Sequence, residues 1–147
     1  MLDSGLSLLA ALIHVWAMPE HLEEWRGYGT FFLNAAIAQG LFSAALLRWL
    51  HRSLLLLLGI GGNLLIVALC FVTRTVGVLI SGPDAGEVEE VGFTDLSATM
   101  SELAIVLALG AVLLRDPPSP IRNLILLILA IAILSLGHLL HLLLRAP

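Results

Sequence analysis

The chain has 147 residues, 59% of them hydrophobic and 12% charged, against about 45–50% and about 25% in an ordinary soluble domain. So few charged side chains cannot cover an apolar core of this size with a polar surface, which excludes a water-soluble globular protein and makes lipid the natural solvent. A formal charge of −4, with seven basic residues that are all arginine, offers no basic stripe to nucleic acid, and the lone Cys70 excludes a disulfide framework or a cysteine-built metal cluster.

A membrane-crossing helix needs about 20 apolar residues, and five apolar runs bounded by charge, proline or glycine predict five helices. The first covers 2–17 and is stopped by Pro19, which leaves it short for a span. It lacks a basic leader region and a small-residue cleavage site, so it reads as a retained helix and not as a cleaved signal peptide. Residues 19–26 predict a short interfacial helix, with Pro19 at its first position and Glu20, Glu23 and Glu24 at its positive dipole end. His21 and Glu24 are three apart there, and Glu20 and Glu24 four apart, so they share a face.

The second helix covers 28–51 and closes on the aromatic and basic interfacial anchor Arg48, Trp49, His51 and Arg52. Its Asn34 and Gln39 fall near mid-membrane, as does Asn63 in the third, where such side chains join helices by hydrogen bonds. The third covers 53–80, with glycines 59, 61 and 62 permitting close approach and Arg74 near its far end. An acidic, turn-rich loop over 81–92 lacks the alternating ligands of a calcium loop. The fourth helix covers 94–114, with Thr94 as N-cap and Asp95 at the dipole end, and the fifth covers 121–144 after a proline-rich break. The expected architecture is an all-α, polytopic membrane bundle forming a single domain. With the N-terminus cytoplasmic, the inner loops hold Arg48, Arg52, Arg115 and Arg122 and the outer regions Arg26, Arg74 and Arg145, which favours N-inside, C-outside.

Alternating helix direction then gives each polar residue a depth. His14, Arg74, Glu102, His138 and His141 all fall in one leaflet, on the side of the loop bearing Glu20, His21 and Glu24. Ionisable groups inside a membrane are costly enough to mark a functional site. His138 and His141, three apart on one helical face, can address one centre, and with His14, His21, Glu24 and Glu102 they form the expected ligand set of an outward-facing copper or zinc site. Arg74 needs a partner if buried, and the candidates are Glu102 and the acidic loop, with an Arg74–Glu102 pair linking the third and fourth helices expected first. No phosphate-binding loop, dinucleotide fingerprint, nucleophile elbow or metalloprotease motif occurs, so a binder is expected before an enzyme.

The stretch Ile13-His14-Val15-Trp16-Ala17-Met18-Pro19-Glu20-His21, followed by Tyr28-Gly29-Thr30-Phe31-Phe32 and Gln39, and later by Thr73-Arg74-Thr75-Val76-Gly77, Glu90-Val91-Gly92 and Asp95, resembles a pattern in small, uncharacterised multi-spanning membrane proteins of bacteria. That resemblance implies a bacterial cytoplasmic membrane and singles out His14, His21, Arg74 and Asp95. It brings no activity or cofactor with it. Three functions are expected from the residues: transition-metal binding in the lipid bilayer, with a metal ion or metallochaperone as partner; bis-histidine haem ligation; or a transport or assembly subunit with an intramembrane Arg–Glu–His relay.

Overall fold

A computed structural model of the protein describes residues 2–50, 52–77, 85–88 and 90–115, together with 127, 130, 131, 133–135, 137, 138 and 141. Four helices follow one another: α1 (Leu2–Glu24), α2 (Arg26–Trp49), α3 (Ser53–Thr73) and α4 (Phe93–Leu113). All four are long and apolar enough to cross a membrane, since 21 residues at about 1.5 Å rise already reach the thickness of the hydrocarbon layer. Their outward faces carry large apolar side chains, among them Leu12, Trp16, Leu41, Leu54, Leu58 and Leu65, as lipid contact requires. The protein is an all-α, membrane-spanning helix bundle. The described residues between 127 and 141 are helical too, while most of the predicted fifth helix, with Arg122, lies outside the described residues, as do His51, Asp84 and Glu89.

The first predicted helix is corrected. It does not stop before Pro19 at 17, and 19–26 is not a separate interfacial helix; α1 runs unbroken through Pro19 to Glu24 over 23 residues and is not short. Proline removes the one hydrogen bond to the carbonyl of Val15, and both residues lie on the exposed face, where the ring meets no neighbouring helix. The chain reverses at Trp25 alone, which is extended (φ −161°, ψ 138°), before α2 begins at Arg26 instead of 28.

Small residues set the packing. The buried face of α1 is Ser4, Ser7, Ala10, Ala11, His14 and Ala17 beside Asp3, a stripe at helical spacing that lets α2 and α4 approach from either side. Antiparallel register between α1 and α2 is fixed by Ser43 Oγ donating to the Ser4 carbonyl (2.8 Å) and Ser7 Oγ donating to the Gln39 carbonyl (2.9 Å). α1 thus sits between α2 and α4, and α3 packs against α4 and faces α2. One end of the bundle, near the α2–α3 turn, is filled by Leu46, Leu56, Ile60, Ile105, Leu109 and Leu113. Towards the other end α2 and α3 scarcely touch, and the space between them stays open.

At Gly29 the hairpin is tightest, because a Cβ there would lie 2.7 Å from Leu22 Cα, so that backbone itself would have to move. Gly29→Ala is expected to cost about 1–3 kcal/mol, the usual range for forced overpacking, and to lower the thermal midpoint in detergent. Gly40→Ala, whose added methyl meets open space, serves as the comparison and should leave the midpoint unchanged or slightly raised.

α3 ends at Thr73, seven residues before the predicted 80. The hydroxyls of Thr73 and Thr75 donate back to the carbonyls of Cys70 and Phe71. The N–H groups of Val76 and Gly77 both reach the Val72 carbonyl, and Gly77 turns the chain at φ 111° against residues 86 and 87. α4 starts one residue earlier than predicted, at Phe93, with Gly92 as N-cap in place of Thr94; the Asp95 carboxylate reaches back to accept the Gly92 N–H at 2.9 Å.

Candidate functional site

His14 and Glu102 face one another across α1 and α4 at the floor of the open half. His14 is 1% and Glu102 0% exposed. Each lies in its helix's buried stripe, placed there by the same periodicity that buries Ala10 and Ala17 on α1, and Ile105 and Val106 on α4. The His14 Nδ1 lies 2.9 Å from the Ala10 carbonyl, which can only accept, so Nδ1 carries a hydrogen and Nε2 is turned to Glu102 Oε1 at 3.8 Å. Gln39 reaches in from α2 and donates Nε2–H to the same Oε1 at 2.5 Å. The second oxygen of Glu102, Oε2, is buried with no hydrogen-bond partner.

Above this floor lies a mostly apolar pocket of about 160 Å³. Its α1–α2 wall is aromatic: Trp25 packs edge-on against Tyr28 (ring centroids 5.1 Å), Phe31 edge-on against Phe32 (5.7 Å), and the His21 ring stacks on Phe32 at 4.1 Å. The Trp25 ring lies so close over Gly27 that any side chain there would displace it. The opposite wall is Ile66, Val67, Leu69 and Cys70 of α3 with Ala98 and Thr99 of α4.

The pocket's mouth is held by an ion pair. Arg74 NH2 lies 2.7 Å from Asp95 Oδ1, with only 9% and 15% of the two side chains exposed, and Arg74 NH1 donates to Thr73 Oγ1 at 2.7 Å. Beyond it opens a more polar vestibule of about 400 Å³ lined by Glu20, Glu24, Glu87, Glu90 and Asp95 against Arg74 and His21, with His21 Nδ1 2.9 Å from Glu24 Oε2. His21, Arg74, Thr94 and Asp95 line both spaces, so pocket and vestibule adjoin there, with the Arg74–Asp95 pair across the passage between them.

Of the residues expected to converge, His14, His21, Glu20, Glu24, Arg74 and Glu102 gather at one end of the bundle, and Asp95 joins them there. The partners are different. Arg74 pairs with Asp95 and not with Glu102, because Asp95 sits at the start of α4 beside the end of α3 while Glu102 lies two turns deeper, opposite α1. His138 and His141 do not join the cluster; both are exposed, with the His138 ring against Phe71 (centroids 5.5 Å) on a part of α3 that does not line the pocket. Among the described residues no group of three or more His, Cys, Asp or Glu side chains is placed to hold a metal ion. Asn34 is exposed on α2 and joins no described helix, whereas Gln39 does form the expected interhelical bond. The aromatic wall was missed as a unit, although Trp25, Tyr28 and Phe32 recur at the i, i+3, i+7 spacing of one helical face.

The fold and site together define a membrane-spanning bundle built around a buried imidazole–carboxylate pair beneath a pocket that adjoins an acidic vestibule. No protein-family model, curated protein or solved structure matches the chain.

Proposed function

We propose that the chain is a transport or assembly subunit in which the Arg–Glu–His set handles protons within the membrane. What supports this reading is the Glu102 carboxylate, wholly buried at the floor of a pocket that adjoins an acidic vestibule, with one oxygen bonded to Gln39 and the other without a partner among the described residues. A carboxyl group in lipid is retained at a cost, and proton relays are among the uses that justify it. Glu102 Oε2 takes a proton from the vestibule and returns it there. His14 Nε2, 3.8 Å from Oε1, is a second holder for the same proton once a small side-chain rotation closes the gap. The Arg74–Asp95 pair sets the field at the mouth. With the N-terminus cytoplasmic, in a bacterial cytoplasmic membrane, the vestibule faces outward.

The relay is preferred to a copper or zinc site because His14 and Glu102 supply two donors where such sites take three or four. It is preferred to haem because the pocket is the size of a cavity that holds one benzene, far short of a macrocycle. The test is infrared difference spectroscopy on detergent-purified protein stepped between acidic and alkaline buffer. A protonated-carboxyl C=O band that appears with acid, vanishes with alkali and is missing from Glu102→Gln is expected. If wild type and variant give the same difference spectrum, Glu102 does not exchange protons with bulk water and the relay fails.

A further inference from the structure

We infer that the pocket above Glu102 binds a small organic cation, a substituted ammonium bearing one ring-sized apolar group. Size comes first. A cavity of about 160 Å³ matches the roughly 150 Å³ apolar cavity known to hold benzene, so one ring fills it and a head group extends along the passage. Charge selects the sign: among the described residues the vestibule sets five carboxylates, those of Glu20, Glu24, Glu87, Glu90 and Asp95, against one guanidinium, that of Arg74, itself paired to Asp95. Such a mouth concentrates cations and repels anions.

The walls and floor agree with the mouth. Trp25, Tyr28, Phe31 and Phe32 line the pocket with ring surfaces, and an alkylated ammonium within about 6 Å of an aromatic face is attracted to it while giving up little hydration. Glu102 is one of the residues around the same space, and its Oε2, buried and without a hydrogen-bond partner among the described residues, is the counter-charge this assignment gives the cation. A neutral ring would satisfy the walls but leave that oxygen unanswered, and an anion would meet carboxylates at both ends of the passage. The assignment rests on the relay reading in one respect: the cation meets Glu102 after its proton has left, so binding releases a proton to the medium.

The probe is benzyltrimethylammonium, titrated by calorimetry into the purified full chain in neutral detergent, beside neopentylbenzene, which has the same shape with carbon in place of the charged nitrogen. Saturable binding of one cation per chain is expected, at least about tenfold tighter than the neutral isostere. Glu102→Gln should weaken the cation at least about tenfold and leave neopentylbenzene unchanged, and Phe32→Leu should weaken the cation roughly three- to tenfold. Ser43→Ala, at the opposite end of the α1–α2 hairpin, should bind like wild type. Equal affinity for the two probes, or no saturable cation binding, overturns the site, and this comparison needs no variant to fold. A pH indicator in weak buffer separates the two readings. Cation binding without proton release keeps the site and removes the relay, whereas a Glu102 that titrates in the infrared without cation binding keeps the relay and removes the site.

Discussion

Arg74→Leu is expected to destabilise the bundle by about 3 kcal/mol, because it leaves the Asp95 carboxylate largely buried and without its counter-ion. The rescue identifies the partner. Asp95→Asn, added to Arg74→Leu, removes the stranded charge yet keeps an amide oxygen to accept the Gly92 N–H at the start of α4, so most of the lost thermal midpoint should return. Glu102→Gln added to Arg74→Leu should return none, since Glu102 is held by Gln39 and faces His14. An Arg74→Leu midpoint equal to wild type would mean that the pair is screened by water and headgroups and contributes nothing measurable.

That contrast marks how far the sequence could be read. Depth along a helix follows from counting residues, so His14, Arg74 and Glu102 were assigned to one end of the membrane from their distances to the helix ends alone. Neighbourhood does not follow from counting. Whether Arg74 meets Asp95 or Glu102 depends on α3 packing against α4 and not against α1, and no local pattern in either helix specifies that order. The same ignorance hid the partner of Gln39: a mid-membrane amide announces an interhelical bond, but only the thin, serine- and alanine-rich face of α1 lets it reach a carboxylate on α4. Pro19 misled for a different reason. A proline read in isolation ends a helix, yet here one lost hydrogen bond on the exposed face is outweighed by continuing α1, which buries Ala17 and sets His21 above Phe32.

The bundle also separates its two tasks along its length. Near the α2–α3 turn, where Phe42 fills the space beside Gly59 and Leu109, the helices pack tightly around an apolar cluster, and the buried Ser4 and Ser43 there bond to each other. Near the α1–α2 turn the helix faces carry His14, Gln39, Thr99 and Glu102, and apolar surface is given over to a pocket. The second region keeps polar groups whose hydrogen bonds are incomplete among the described residues, such as Oε1 of Gln39 and Oε2 of Glu102.

A double-mutant cycle on that pair should separate folding from function. Gln39→Leu removes the donor that reaches Glu102 and leaves both carboxyl oxygens without a hydrogen bond in the protein, an expected loss of about 2 kcal/mol. Glu102→Leu strands the Gln39 amide, whose carbonyl oxygen already lacks a partner, at a similar cost. Each single variant should therefore melt lower than wild type. Combining them replaces a partly satisfied polar pair with two apolar side chains of similar size, and the double variant should recover to within about 1 kcal/mol of wild type. It should nevertheless show no acid-dependent carboxyl band and no preference for a cation over its neutral isostere. Recovery of the melting midpoint with loss of both signals means that Gln39 and Glu102 are kept for what they bind and not for holding α2 to α4. A double variant that melts as low as the sum of the two singles would make the pair an element of the scaffold and deprive the proton and cation readings of their main support.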